Sequence, residues 1–264
     1  MLEVSHITKV FNAGTVNEKV AINDLSITFS DGDFVTVIGG NGAGKSTLMN
    51  LIAGVYPIDT GSIKLNGEEL SKLPEFKRAK KLGRVFQDPM MGTAADMQID
   101  ENLALAYRRG KGRGLKWGVT KKEKELFRQQ LSRLGLGLED RMTTKVGLLS
   151  GGQRQAITLL MATLQRPDML LLDEHTAALD PVTAKKVLAL SEELISEHSL
   201  TTMMVTHNMK DAIRHGNRLI MMNEGHIILD IEGEEKKKLT KQQLIDLFAQ
   251  KGASIDSDEA LLTK

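Results

Sequence analysis

Cysteine is absent from all 264 residues, which excludes disulfides and thiolate metal sites and is compatible with a reducing compartment. An excess of either charge is missing too. Thirty-five lysines and arginines face 34 aspartates and glutamates, and a net charge of +1 gives no support for a large nucleic-acid footprint. No run approaches the ~18–20 apolar residues that a membrane span needs. The opening MLEVSHITKVF has polar residues throughout and no apolar h-region, so no signal peptide is expected. Internal repeats and sustained heptads are also lacking. The remaining composition, 41% hydrophobic and 26% charged, is that of an ordinary globular chain. Its length allows one large core with a satellite subdomain, or two small domains.

The segments LEVSHITKVF, VAINDLSITF and FVTVIG are rich in β-branched residues and separated by turn chemistry at NAGT and SDGD, so the first part reads as strands. A helix is expected from Lys45, stopped by Gly54 and Pro57. Asn66-Gly67 predicts a hairpin, and LGRVFQDP a short strand ended by Pro89. Residues from Met90 to about Leu149 favour helix and read as an inserted helical subdomain, about 90–160. QRQAITLLMATLQ is a further helix, and MLLLDE, residues 169–174, begins as a strand buried on both faces. Asp180-Pro181 starts another helix, with Val187, Leu190 and Leu194 on one face. TTMMVTH is a buried strand, and RLIMMNEGHIILD a hairpin turning at Glu224-Gly225. Beyond Glu232 the tail, 233–264, is charged, with KLTKQQLIDLFAQ as a short surface helix.

Two glycine-rich turns each open a helix. GGNGAGKST comprises Gly39, Gly40, Asn41, Gly42, Ala43, Gly44, Lys45, Ser46 and Thr47, and matches G-x-x-x-x-G-K-[ST] between a strand and a helix. Glycines let successive N–H groups surround phosphate oxygens, and the helix N-terminus adds partial positive charge. Lys45 would neutralise terminal phosphate charge, and Ser46 would place a hydroxyl on Mg²⁺. The second turn, LLSGGQRQ, holds Ser150, Gly151, Gly152 and Gln153. Asp173 and Glu174 end the MLLLDE strand. Beside a P-loop, Asp173 suits Mg²⁺ held through water and Glu174 suits a base or water-orienter; a solvated acidic turn is the plain alternative. His207 ends the MMVTH strand and Gln87 ends RVFQ. At a shared sheet edge the imidazole could touch a γ-phosphate or the attacking water, and the amide could reach Mg²⁺ or water. A satisfied structural histidine is the other reading.

In this order the motifs resemble the ATP-binding subunit of an ABC transporter over roughly the first 230 residues, so residues 1–232 form one ATP-binding cassette. The resemblance assigns Walker A to 39–47, the Q-loop to Gln87, the signature LSGGQ to 149–153, Walker B to 169–173 followed by Glu174, the D-loop to 177–180 and the switch histidine to His207. Phe11 matches the aromatic that stacks on adenine. It implies an α/β P-loop NTPase with a RecA-like parallel sheet, an N-terminal antiparallel β part and the inserted helices. It implies ATP hydrolysis with Mg²⁺, and a head-to-tail dimer, either of two copies or with a homologous ATPase subunit. In that dimer Ser150, Gly151, Gly152 and Gln153 of one copy read the γ-phosphate in the P-loop of the other, which gives the second turn its purpose. Permease subunits would dock near Gln87 and residues 90–97, with an extracytoplasmic solute-binding protein in the same system. The subunit would lie peripherally on the cytoplasmic face of the membrane and bind no nucleic acid. Import of a small solute is favoured, and the subgroup it looks similar to includes systems for aromatic amino acids. A soluble ABC ATPase acting on nucleic acid or ribosomes is the alternative, but its usual twin cassettes or long coiled coils are missing.

The chain departs from the family in DEHTAALD, where His175 stands in place of the usual proline and sets a titratable ring near Glu174. Met90, Met91 and Met97 would give an adaptable apolar docking surface, or pack inside the helical subdomain. The loop RRGKGRGLKWG, with Arg108, Arg109, Lys111, Arg113, Lys116 and Trp117, reads as a solvated surface loop or as a rest for anionic headgroups.

Overall fold

The computed structural model describes residues 1–111 and 118–250. The chain divides into two compact units, residues 1–78 with 199–264, and residues 79–198. Elements are labelled in chain order.

In the first unit β1 (Leu2–Phe11), β2 (Lys19–Phe29), β4 (Thr60–Leu65) and β5 (Glu68–Glu69) form an antiparallel sheet in the order β2-β1-β4-β5. Alternate residues Leu2, Val4, Ile27 and Ile63 are buried, as expected for a sheet with one wet face. The β4–β5 turn is the expected one: Asn66 and Gly67 both hold positive φ, 52° and 77°, as a two-residue hairpin loop requires.

The unit's other strands surround β3 (Phe34–Gly39), buried along its whole length. β8 (Thr202–Val205) and β9 (Arg218–Asn223) pair with it in parallel on either side, and β10 (His226–Glu232) pairs antiparallel with β9. After β3 the chain enters α1 (Lys45–Ala53), which ends at Gly54 with φ 84°. Arg78, at the end of the short α2 (Glu75–Arg78), is buried beneath that end. Its guanidinium donates to Leu51 O at 2.7 Å and Ile52 O at 3.0 Å, satisfying carbonyls that a helix terminus leaves open.

α7 (Met209–Arg214), α8 (Gly233–Lys238) and α9 (Lys241–Gln250) complete the unit. The tail helix is docked more deeply than a surface helix: Leu244 and Phe248 are buried with Met209, Ala212 and Leu219 in one cluster. Its charged neighbours mask that i, i+4 apolar pair in sequence. On α8, Lys236 is 2% exposed and donates to the carbonyls of His215, Gly216 (3.1 Å) and Arg218 (3.3 Å) and to the Thr36 hydroxyl. Burial lowers its pKa to about 8.

The second unit holds the parallel pair β6 (Leu82–Val85) and β7 (Met169–Asp173), with Val85 opposite Leu172. α3 (Ile99–Tyr107), α4 (Lys121–Ser132) and α5 (Gly151–Thr163) bury Ile99, Leu103, Phe127, Leu131, Ile157 and Leu160 together. α6 (Pro181–His198) follows β7 and buries Val187 and Leu194 as expected, while Leu190 stays half-buried. No described helix is long and apolar enough to cross a membrane.

Candidate functional site

In the first unit the loop between β3 and α1 follows a path that only glycine tolerates. Gly39, Gly42 and Gly44 have φ of 151°, 78° and 102°. A Cβ at Gly39 would lie 2.2 Å from Met222 O, and one at Gly44 would lie 2.7 Å from Ala21 O. The β9–β10 turn braces the loop, Gly225 N donating to Ala43 O at 3.0 Å. Within the loop Ala43 N donates to Gly40 O at 3.1 Å. Neither a side-chain cap nor an acidic residue occupies the first turn of α1. Lys45 is 8% exposed, its Nζ donating to Gly39 O at 2.6 Å and Gly40 O at 3.0 Å. Asn41 and Ser46 are exposed and Thr47 is half-buried. Backbone donors, a helix N-terminus and an ammonium suit a polyanion such as a triphosphate.

Phe11 pairs across the hairpin with Lys19, and Lys19 Nζ lies 3.4 Å from where a Cβ at Gly42 would sit. The Lys19 ammonium therefore brings a second cation to the loop. Sequence reasoning missed Lys19, although the hairpin register was the signal for it. Tyr56, also missed, meets Phe11 edge to face with centroids 5.2 Å apart. Lys9 lies 5.5 Å from the Phe11 centroid and pairs with Asp59 at 2.8 Å. Burial raises the Asp59 pKa, but hydrogen bonds from Lys9 and Val10 N and the Lys9 charge outweigh it and hold the carboxyl below its usual range.

His207 shares this sheet edge. Val37 lies opposite Val205, so Gly39 and His207 each stand two residues beyond a paired position. One turn further on, burial pushes Asp211 up despite His215, Arg214, His207 and Lys210 around it.

In the second unit Gln87 and Glu174 each stand two residues beyond the Val85–Leu172 pair, with Asp173 just before Glu174. Gln87 is exposed; Asp173 and Glu174 are half-buried. Arg84, which sequence reasoning passed over, lies with its guanidinium 4.5 Å from the Phe86 ring centroid and 3.6 Å from Asp173 Oδ2. Glu174 holds φ 42°, a left-handed conformation that costs a non-glycine residue about 1–2 kcal/mol.

The second glycine turn is a helix cap. Ser150 Oγ accepts from Gln153 N at 3.3 Å, and Gln153 Oε1 accepts from Ser150 N at 3.2 Å. Gly151 is exposed, whereas a Cβ at Gly152 would fall 2.0 Å from Thr183 Cγ2. Two residues on, Gln155 is buried and its Nε2 donates to Phe86 O at 3.2 Å, tying the cap's helix to the residue before Gln87. This link was missed, and only the helical spacing from Gln153 could have suggested it.

Met90 and Met91 are exposed and Met97 is half-buried. Of the basic loop, Arg108, Arg109 and Lys111 are described. Arg108 forms a two-pronged pair with Glu123, both oxygens at 2.8 Å. Burial lowers the Arg109 pKa, and its guanidinium donates to Ala162 O at 3.1 Å. Lys111 sits 4.4 Å from the Tyr107 ring centroid. Partners 15 and 53 residues away, invisible in the local pattern, engage the two arginines, while Lys111 is exposed. Arg113, Lys116 and Trp117 lie outside the described residues.

The family model described as ABC transporter matches residues 22–177. The chain belongs to the ABC transporter ATP-binding family. It is 42% identical over 248 residues to the tyrosine transport ATP-binding protein of Clostridioides difficile, spanning 94% of this chain and 98% of that one. It is 31% identical to a methionine import ATP-binding protein of Enterococcus faecalis, spanning 99% of this chain and 74% of the relative. Among solved structures, an ATP-binding cassette dimer in a post-hydrolysis state with ADP and Pi superposes with TM-score 0.75 at 27% identity, covering 88% of this chain and 98% of that one. This ABC protein therefore binds and hydrolyses ATP as a transporter subunit, on the α/β P-loop fold expected of it.

Proposed function

We propose that this subunit powers uptake of a small solute of the amino-acid class, aromatic in preference, through partner permease subunits. The observation that supports the substrate class is the end-to-end 42% identity to a protein named for tyrosine transport. The glycine-lined loop supports the site.

Residues 39–47 hold the phosphates, Lys45 exchanging its two carbonyls for β- and γ-phosphate oxygens, and Lys19 adding a second positive charge. Phe11 stacks on adenine, its ring held at the edge by Tyr56. Ser46, through its hydroxyl, Gln87, through its amide oxygen, and Asp173, through water, would hold Mg²⁺, which would supply positive charge beside the phosphates. Glu174 orients or deprotonates the attacking water, and His207 meets the γ-phosphate.

The site is completed by Ser150, Gly151, Gly152 and Gln153 of a second copy, or of a homologous ATPase subunit, arranged head to tail. ATP bridges both faces and favours closure; loss of the γ-phosphate releases them. Driving such an equilibrium from 1:99 to 99:1 needs ~5.5 kcal/mol, within reach of a few charge-assisted hydrogen bonds at ~1.5–3 kcal/mol each. Exposed Met90 and Met91, with Met97, form the permease-docking surface near Gln87. The subunit works peripherally at the cytoplasmic face, alongside an extracytoplasmic solute-binding protein.

Two measurements test this. Sizing Glu174→Gln with Mg-ATP is expected to give a dimer that Ser150→Phe abolishes; a monomer throughout would overturn the shared-site mechanism. Uptake of labelled tyrosine by cells lacking the gene is expected to fall; unchanged uptake of every aromatic amino acid would overturn the substrate class.

A further inference from the structure

The second unit contains a buried histidine that the ATPase chemistry does not use. His175 follows Glu174 and is 2% exposed. Its Nε2 lies 3.0 Å from Ser191 Oγ, itself buried in the middle of α6. Ser191 Oγ lies 2.8 Å from Val187 O, a helical i−4 hydrogen bond that uses the hydroxyl proton. The serine oxygen is therefore the acceptor and His175 Nε2–H the donor, which sets the tautomer.

The backbone beside this anchor is held in an unfavourable conformation. Glu174 sits at φ 42°, outside any strand or helix, and its carbonyl accepts from Ala177 N at 2.9 Å to close a turn. That left-handed geometry carries a cost, and the turn around Glu174 holds it there. The turn has two fixed ends, strand β7 before it and Asp180, whose carboxylate caps α6 through Val182 N and Thr183 N at 3.1 Å. Between them, the His175 ring is hydrogen-bonded to Ser191 of α6.

We infer that His175 is a positioning residue: its hydrogen bond to Ser191 fixes the turn that aims the Glu174 carboxylate, supplying through a side chain the restraint that proline gives in the family pattern. His175 acts through Glu174. The inference rests on the proposed role of Glu174 as the water-orienting carboxylate.

The test uses the full chain and two pairs of variants. His175→Leu and Ser191→Ala remove the hydrogen bond; His175→Gln and Ser191→Thr retain a donor or an acceptor at similar reach. Steady-state ATPase kinetics, ATP affinity by fluorescence titration and Tm are measured for each. The disrupting pair is expected to lower kcat at least tenfold with ATP affinity within twofold of the parent, and the conservative pair to stay within threefold of its kcat. A lowered Tm with unchanged kcat in both disrupting variants, or equal losses in the conservative pair, would overturn the inference. His175→Leu in a Glu174→Gln background separates the two readings. If Glu174→Gln abolishes most turnover and His175→Leu costs nothing further, positioning through Glu174 stands. If His175→Leu still costs tenfold there, the inference fails while the role of Glu174 survives. Should Glu174→Gln keep parental turnover, the underlying reading fails first.

Discussion

The Arg84 guanidinium stands 3.6 Å from the Asp173 carboxylate, and both side chains are largely buried at 15% and 17% exposure. Register puts Arg84 opposite Leu171, so Arg84, Phe86, Leu171 and Asp173 share one face of the β6–β7 pair. A cation built into the strand thus lies beside the carboxylate proposed to serve Mg²⁺.

Replacing Arg84 by methionine is expected to remove a competitor for Asp173 and expose an electrostatic cost. The Mg²⁺ concentration for half-maximal ATPase should fall severalfold. In EDTA the variant should be less stable by about 1 kcal/mol, or a few degrees in Tm, because a half-buried carboxylate loses its neighbour. A magnesium titration and a melting curve with and without EDTA check both. A higher magnesium requirement would contradict the competition.

Lys45→Met should separate binding from folding. The ammonium donates to two carbonyls of its own loop, Gly39 O at 2.6 Å and Gly40 O at 3.0 Å. ATP affinity is expected to fall at least tenfold, about 1.4 kcal/mol, while Tm in the absence of nucleotide shifts by no more than a few degrees. Nucleotide titration and calorimetry read the two effects apart.

Gly152→Ala should damage the second glycine turn through one neighbour. Its Cβ would meet the Thr183 methyl at 2.0 Å, with the next atoms of Thr183 at 3.4 Å and 3.7 Å. Thr183→Ala made in the same chain removes the methyl. The double variant is therefore expected to recover most of the Tm lost by Gly152→Ala, a non-additivity of about 1 kcal/mol or more. Additive losses would show that the glycine is required for another reason.

Lys236 should make stability depend on alkaline pH. Its folded pKa, about 8, lies below the ordinary 10.5, so between these values the unfolded chain binds more protons and stability rises with pH. Below pH 8 the amine is charged in both states and the cost of burying it is fully present. Between pH 8 and 10.5 that cost is relieved, by at most about 3 kcal/mol. Denaturant melts from pH 7 to 10 should show the parent gaining on Lys236→Met; parallel curves would refute the shift.

Local features were legible in the sequence. Asn66-Gly67 and Glu224-Gly225 mark their turns through positive φ at both residues, 52° and 77°, then 46° and 78°, and the phosphate loop is marked by its glycines. Buried strands announced themselves as apolar runs. What escaped depends on partners distant in the chain. Arg78 beneath α1, Lys19 at the loop, Gln155 on Phe86 O and Arg108 with Glu123 are ordinary polar residues until the fold supplies their acceptors. The docking of α9 escaped for the converse reason: Leu244 and Phe248 are too few to outweigh the charged residues around them, yet both are buried. His175 read as a titratable neighbour of Glu174 because nothing in DEHTAALD points to Ser191, sixteen residues away.

The strand leading into the phosphate loop is bordered on one side by β8 and on the other by β9, both from beyond residue 200. On the ribosome, β3 and its glycines therefore emerge long before either flanking strand exists. Such distant pairing is slow to close and leaves edges exposed meanwhile. The nucleotide loop takes its working shape only after translation has passed residue 225, whose amide braces Ala43. Nascent chains shorter than this should be blind to ATP and dependent on chaperones, however complete their Walker A sequence.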